Sequence, residues 1–128
     1  MEILENEPMN AHTTFKVGGP ARFFIKVESV ADIEQAQSFA MAKGLPRFIL
    51  GKGSNILVSD SGFEGVIIQL GKSFSEIQDL GNGIFQVGGA TPLARFARES
   101  IRRGFALAHK LAGIPGSVGG AVFMNAGA

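Results

Sequence analysis

Runs of aromatic and β-branched residues alternate along the chain with stretches of longer, helical period. Ala21-Arg22-Phe23-Phe24-Ile25-Lys26-Val27 reads as a strand, opened by the turn residues Gly18-Gly19-Pro20. Ser29 can then cap a helix in which Val30, Ile33, Ala36 and Ala40 recur at three- to four-residue spacing opposite Asp32, Glu34, Gln35 and Gln37, with Gly44 as its stop. Arg47-Phe48-Ile49-Leu50 predicts a short buried strand, and Ile56-Leu57-Val58 and Val66-Ile67-Ile68 predict further strands. The first half therefore reads β-α-β followed by more strand.

The second half changes character. Ser73 to Leu80 and Ile84 to Val87 flank Gly81-Asn82-Gly83, a turn whose residues tolerate positive φ and suit a hairpin. Thr91-Pro92 offers an N-cap and a proline at the first helical position, after which Leu93, Phe96, Ala97, Ser100 and Ile101 share one face before Gly104. From Leu111 to Ala128 the chain carries almost no charge and is rich in glycine. No repeat, low-complexity linker or charge block intervenes, so a boundary near residue 72 is expected between packed subdomains rather than across a tether.

Composition narrows the functional classes. Hydrophobic residues at 45% and charged residues at 18% describe a globular chain. A balance of 12 Lys and Arg against 11 Asp and Glu, net +1, disfavours nucleic acid and anionic membranes as partners. The absence of cysteine excludes disulfides, Cys-ligated metals and a catalytic thiol, and His12 and His109 are too far apart in sequence to suggest a metal site. Redox work would need a borrowed cofactor. No apolar run approaches the roughly 18 residues of a membrane span, and Met1-Glu2-Ile3-Leu4-Glu5 lacks the features of a secretion signal, so a cytoplasmic location is expected. Glycine, at 18 of 128 residues, is the outlier and needs local reasons.

Two segments supply them. Gly51-Lys52-Gly53-Ser54-Asn55 sits between apolar runs, where glycines let backbone approach phosphate oxygens, consecutive amides form an anion nest and Ser54 and Asn55 add donors. It is neither a Walker loop, because Pro46 stands at the first glycine position, nor a dinucleotide fingerprint, because Ile56 stands at the third. An ordinary strand-to-strand turn explains it equally well. The second segment, Gly113-Ile114-Pro115-Gly116-Ser117-Val118-Gly119-Gly120, followed by Ala121-Val122-Phe123-Met124-Asn125-Ala126-Gly127-Ala128, suggests backbone laid against a flat or extended ligand. A helical turn over Ser117 to Met124 would add free amides as an anion site. Close crossing of a core by a glycine-rich tail is the competing explanation.

Taken in order, Thr13-Thr14-Phe15-Lys16-Val17-Gly18-Gly19-Pro20-Ala21, Leu50-Gly51-Lys52-Gly53-Ser54-Asn55-Ile56-Leu57-Val58 and Ala112 to Ala128 resemble the UDP-N-acetylenolpyruvoylglucosamine reductase family. The resemblance covers essentially the whole chain but only the N-terminal part of a family normally more than twice as long. It implies an α+β FAD-binding domain of the vanillyl-alcohol-oxidase (PCMH) type. Residues 1–71 would form the first subdomain and 72–128 the beginning of an incomplete second one, with the substrate domain absent. It further implies FAD as cofactor, NADPH as hydride donor, and reduction of the enolpyruvyl group of a UDP-sugar to UDP-N-acetylmuramate for peptidoglycan precursor synthesis.

By matching position, Gly51, Lys52, Gly53, Ser54, Asn55 and Ile56 would wrap the FAD pyrophosphate. Ile114, Pro115, Gly116, Ser117, Gly119, Gly120, Asn125 and Gly127 would line the rest of the cofactor. The family's catalytic serine, arginine and glutamate lie beyond Ala128 in family order, so no catalytic residue is assigned and the isolated chain is expected to be inactive. Leu107-Ala108-His109 departs from the family's usual Gly-Leu-Glu. Two other readings stay open: a noncatalytic fragment acting only as a fold or assembly module, and another flavin oxidase of the same fold. An antiparallel subdomain that normally continues would leave an unpaired edge and favour self-association. Arg95, Arg98, Arg102 and Arg103 read as a solvated helix face interrupted by Glu99. His12 and His109 lack a carboxylate or nucleophile at a meaningful spacing and are left out of the site.

Overall fold

The computed structural model describes residues 1–127. Packing divides the chain into two compact units, Met1–Ser73 and a second that begins at Phe74. In the first, strands β1 (Glu2–Pro8), β2 (Pro20–Val27), β3 (Arg47–Leu50) and β4 (Phe63–Leu70) form one sheet in the order β1-β2-β4-β3. β1 runs antiparallel to β2, whereas β2 and β3 both run parallel to β4. The crossover from β2 to β3 is helix α1 (Val30–Ala42), capped by the Ser29 hydroxyl, which accepts from the Asp32 amide at 3.1 Å.

The two central strands are buried over consecutive residues, Phe23 to Ile25 and Val66 to Ile68, because both faces of the sheet are covered. Ala36 and Ala40 of α1 are buried, and Phe39 meets Phe23 edge-on at 5.0 Å between ring centroids. A second cluster joins Met9, Ala21, Phe24, Leu50 and Ile67. Ala21 reaches this cluster because the β2–β4 register shifts between Ala21 and Phe23.

Two expectations for this half are corrected, and one strand was not predicted. β3 is an edge strand, not a buried one: only Leu50 is buried, while Phe48 and Ile49 are exposed. Residues 56–58 form no strand, since no backbone hydrogen bond joins them to a neighbouring strand among the described residues; Gly18 lies against Val58, and the Gly19 amide donates to the Ser59 carbonyl just beyond. β1 carries no strand signal of its own, because Glu2-Ile3-Leu4-Glu5-Asn6-Glu7-Pro8 lacks clean alternation and β-branched enrichment.

The second unit opens with a hairpin, β5 (Ile77–Gly81) and β6 (Ile84–Val87), turned at Asn82 and Gly83 with positive φ of 52° and 78°. Helices α2 (Leu93–Arg102), α3 (His109–Ala112) and α4 (Val118–Phe123) follow. Leu93, Ala97 and Ser100 form the buried stripe of α2, whereas Ile101 is exposed. Phe96 meets Phe85 of the hairpin edge-on at 5.8 Å. Arg95 donates to the Ser75 carbonyl at 2.9 Å and Arg103 to Asp79 at 3.0 Å, so part of the arginine face ties the helix to the hairpin.

Thr91 is not the expected side-chain cap. Pro92 occupies the cap position, and the buried Thr91 hydroxyl points to the Glu76 carbonyl at 3.5 Å. The helix start is instead stitched to the glycine-rich segment. The Leu93 amide donates to Gly116 at 3.0 Å and the Val118 amide to Thr91 at 2.8 Å, around an antiparallel bridge between Pro92 and Ser117.

Candidate FAD site

In the first unit, β3 ends at the buried Leu50 and delivers the chain into the loop Gly51–Ile56. Gly53 is buried with φ +67°, and a Cβ built there would lie 2.0 Å from the His12 carbonyl oxygen, so only glycine fits. Its own carbonyl accepts from the Thr14 amide at 2.9 Å. The other end is held by Gln69 of β4, whose side-chain amide donates to the Gly51 carbonyl at 3.3 Å.

The loop thus rests on backbone that the motif around Thr13 supplies. Among the described residues, no backbone carbonyl accepts from the amides of Lys52, Gly53 or Asn55. Lys52 and Asn55 are exposed, and Lys52 has no carboxylate within ion-pair distance among the described residues. Ser54 is half-buried. Ile56 packs its side chain against the Met9–Phe24 cluster, which leaves only its backbone for a ligand. Unspent amides beside a free ammonium are what an anion of several oxygens needs.

The second segment is different. Ser117 caps α4, its hydroxyl accepting from the Gly120 amide at 3.3 Å. The amide of Val118 is spent on Thr91 and that of Gly119 on the Gly89 carbonyl at 2.9 Å. The expected anion site of free amides at this turn is therefore absent: the fold consumes them. Gly119 is tight against Gly89, where a Cβ would lie 3.0 Å from the carbonyl oxygen. At Gly113 and Gly127, by contrast, a Cβ would meet nothing within 4 Å. Internal packing accounts for Gly119 and leaves Gly113 and Gly127 unexplained, facing open space.

Ile114 is half-buried, and Pro115 is exposed. Gly116, with φ +127°, gives its carbonyl to Leu93. Asn125 is exposed at φ 47° after α4. The sequence reading missed His12, whose ring stacks on Phe24 at 4.2 Å and whose Nε2 lies 2.8 Å from Glu7 Oε1. The pairing spans a strand end and a 3-10 turn, a separation of five residues that no helical or strand period marks. His109 Nδ1 is 2.8 Å from the Ala106 carbonyl, a local contact. No group of three or more His, Cys, Asp or Glu able to hold a metal occurs among the described residues. No helix among them is long and apolar enough to cross a membrane.

A glycine loop on an α+β scaffold suits a domain that binds a phosphate-bearing cofactor, and the comparison of families shows which class this is: the FAD binding domain family matches residues 21–128. The chain belongs to that family, with the α+β fold of its class, and its cofactor is FAD. More particularly, it is similar to the UDP-N-acetylenolpyruvoylglucosamine reductases. That of Desulforamulus reducens is 46% identical over 125 residues, covering 96% of this chain and 40% of the relative. That of Bacillus velezensis is 40% identical over 127 residues, covering 99% and 42%. The crystal structure of the Thermus caldophilus reductase superposes with a TM-score of 0.79 at 36% identity, covering 99% of this chain and 42% of that one. The chain thus spans about two-fifths of the length of these relatives.

The residues fit FAD. Gly53 is a cradle that a Cβ would fill, no backbone carbonyl accepts from the amides of Lys52, Gly53 or Asn55 among the described residues, and Lys52 carries the positive charge that a pyrophosphate would call for.

Proposed function

We propose that the chain is the FAD-binding part of an NADPH-dependent reductase that converts UDP-N-acetylglucosamine enolpyruvate to UDP-N-acetylmuramate in cytoplasmic peptidoglycan precursor synthesis. The observation that carries the FAD part of the reading is the Gly53 loop, where among the described residues no backbone carbonyl accepts from the amides of Lys52, Gly53 or Asn55 and no carboxylate lies within ion-pair distance of Lys52; the likeness to the UDP-N-acetylenolpyruvoylglucosamine reductases supports the rest. In this assignment residues 1–71 and 72–128 are the first FAD-binding subdomain and the start of the second. The chemistry that FAD supplies when bound is two-electron hydride transfer, from NADPH to the enolpyruvyl carbon.

The chain's own residues bind and orient. The amides of Lys52, Gly53 and Asn55 donate to pyrophosphate oxygens, Lys52 neutralises their charge, and Ser54 adds to the same cradle. Gly51 and Ile56 fix its two ends, one through its carbonyl and the other through its partly buried side chain. Ile114, Pro115, Gly116, Ser117, Gly119, Gly120, Asn125 and Gly127 line the remainder of the cofactor, with Gly113 and Gly127 leaving clear surface for a flat ring. No residue of the chain is assigned to proton transfer, so the chain alone binds FAD without turning over.

The test is direct. The folded chain is mixed with FAD, desalted and scanned for flavin absorbance, then assayed for NADPH oxidation with the enolpyruvyl UDP-sugar. Retained flavin without turnover is expected. A folded sample that retains no FAD overturns the binding assignment, and substrate-dependent NADPH oxidation overturns the assignment of inactivity.

A further inference from the structure

His12 lies outside the Gly51–Ile56 loop yet supports it. Its carbonyl oxygen is the atom against which Gly53 is pressed, and two residues on, the Thr14 amide holds the Gly53 carbonyl at 2.9 Å. The His12 backbone is itself pinned, since its amide donates at 3.0 Å to the carbonyl of Met9, a fully buried residue. The side chain is fixed from two directions: the ring stacks on Phe24 with 26° between planes, and Nε2–H donates to the Glu7 carboxylate at 2.8 Å.

A nest of backbone amides binds an anion well only when its geometry is set beforehand, to within about 0.5 Å. Glycines cannot set it themselves, because they are the residues with the most conformational freedom to lose. Rigidity must come from whatever the loop leans on, and here that is the His12–Thr14 backbone.

We propose that His12, clamped by Glu7 and Phe24, is a positioning residue for the FAD pyrophosphate. It acts through the peptide that supports Gly53 and touches no part of the cofactor. The proposal rests on the reading of Gly51–Ile56 as the pyrophosphate loop. Neither His12 nor Glu7 belongs to the core cluster, and both side chains retain some solvent exposure. Glu2 and Lys26 line the same cavity of about 190 Å³ as the His12 and Phe24 rings, and they are the other charged groups beside the histidine.

The test titrates the full chain with FAD, ADP and riboflavin at a temperature where circular dichroism shows every variant folded. His12→Ala should raise the dissociation constants of FAD and ADP about tenfold, and Glu7→Ala about threefold, with riboflavin unchanged. His12→Gln, whose amide can still donate to Glu7, should restore FAD binding to within about threefold of the unsubstituted chain. Gly53→Ala serves as the reference. FAD binding by His12→Ala and Glu7→Ala within twofold of the unsubstituted chain, alongside a defective Gly53→Ala, overturns the positioning role and leaves the pyrophosphate loop standing. An unaffected Gly53→Ala overturns both. Equal losses for FAD and riboflavin also overturn the proposal, because they mark a general loosening. If His12→Ala does not fold, Glu7→Ala alone decides.

Discussion

Individual glycines in this chain do opposite jobs that composition does not separate. A Cβ at Gly19 would lie 2.1 Å from the Asp60 carbonyl oxygen and 2.6 Å from the Gly62 nitrogen, so Gly19→Ala should cost about 3 kcal/mol or prevent folding, read from denaturant unfolding. Gly113→Ala faces open space and should change stability by no more than about 0.5 kcal/mol, yet raise the FAD dissociation constant about tenfold. Unchanged FAD binding in the folded variant would mean that no ligand lies there. A second residue-scale effect concerns acid. Glu28 is held below the ordinary carboxylate range chiefly by the Ser73 amide and then by its hydroxyl, and Asp32 chiefly by the Glu28 amide. The unfolded chain binds these protons more readily than the folded one. Their contribution is therefore complete above the ordinary carboxylate value and is lost as the pH falls through that range to the depressed folded value. The melting temperature of the first unit should fall as the pH drops through that window, and Glu28→Gln should flatten the loss. Undiminished acid sensitivity in that variant would place the linked group elsewhere.

At the scale of elements, Ser117 shows where a motif and a fold compete for one side chain. Its hydroxyl caps α4, so Ser117→Ala should cost the second unit about 1 kcal/mol, measured as a shift in the denaturant midpoint, before any ligand is considered. A midpoint unchanged within error would show that the bridge to Pro92 holds the turn without the cap. Legibility follows the same line. β2, α1, the 81–83 turn and α2 were readable because their signals are local: β-branched runs, a serine cap, residues tolerant of positive φ, a 3.6-residue stripe. β1 was not readable, because its place depends on pairing Glu2 to Pro8 with Lys26 to Pro20, a contact the local pattern does not encode. The exposure of β3 was hidden for a related reason: an apolar tetrapeptide looks alike at an edge and at the centre. For the site, the glycine-rich turn at Gly51–Asn55 was legible from its composition. The consumption of the Val118 and Gly119 amides was not, since their acceptors lie at Thr91 and Gly89.

Over the whole molecule, apolar surface is distributed unevenly. Leu107, Val122 and Phe123 are 78%, 76% and 83% exposed, and the β5–β6 hairpin has no third strand among the described residues. The isolated chain should accordingly self-associate with rising concentration, and Phe123→Ser should lower the apparent mass in sedimentation. A monomer at all concentrations would count against it. The stitching of residues 89–93 to 116–119 has a different consequence, one of timing. Every strand of the first unit is complete by Leu70, so that unit can fold while synthesis continues. The second cannot secure the start of α2 until Val118 and Gly119 have left the ribosome, although α2 itself was made some twenty residues earlier. Nascent chains arrested in steps from residue 70 onward, each extended by a linker long enough to clear the ribosome, should gain protease resistance in two stages, the second only beyond residue 119, and a single late stage would show that the first unit waits for the second.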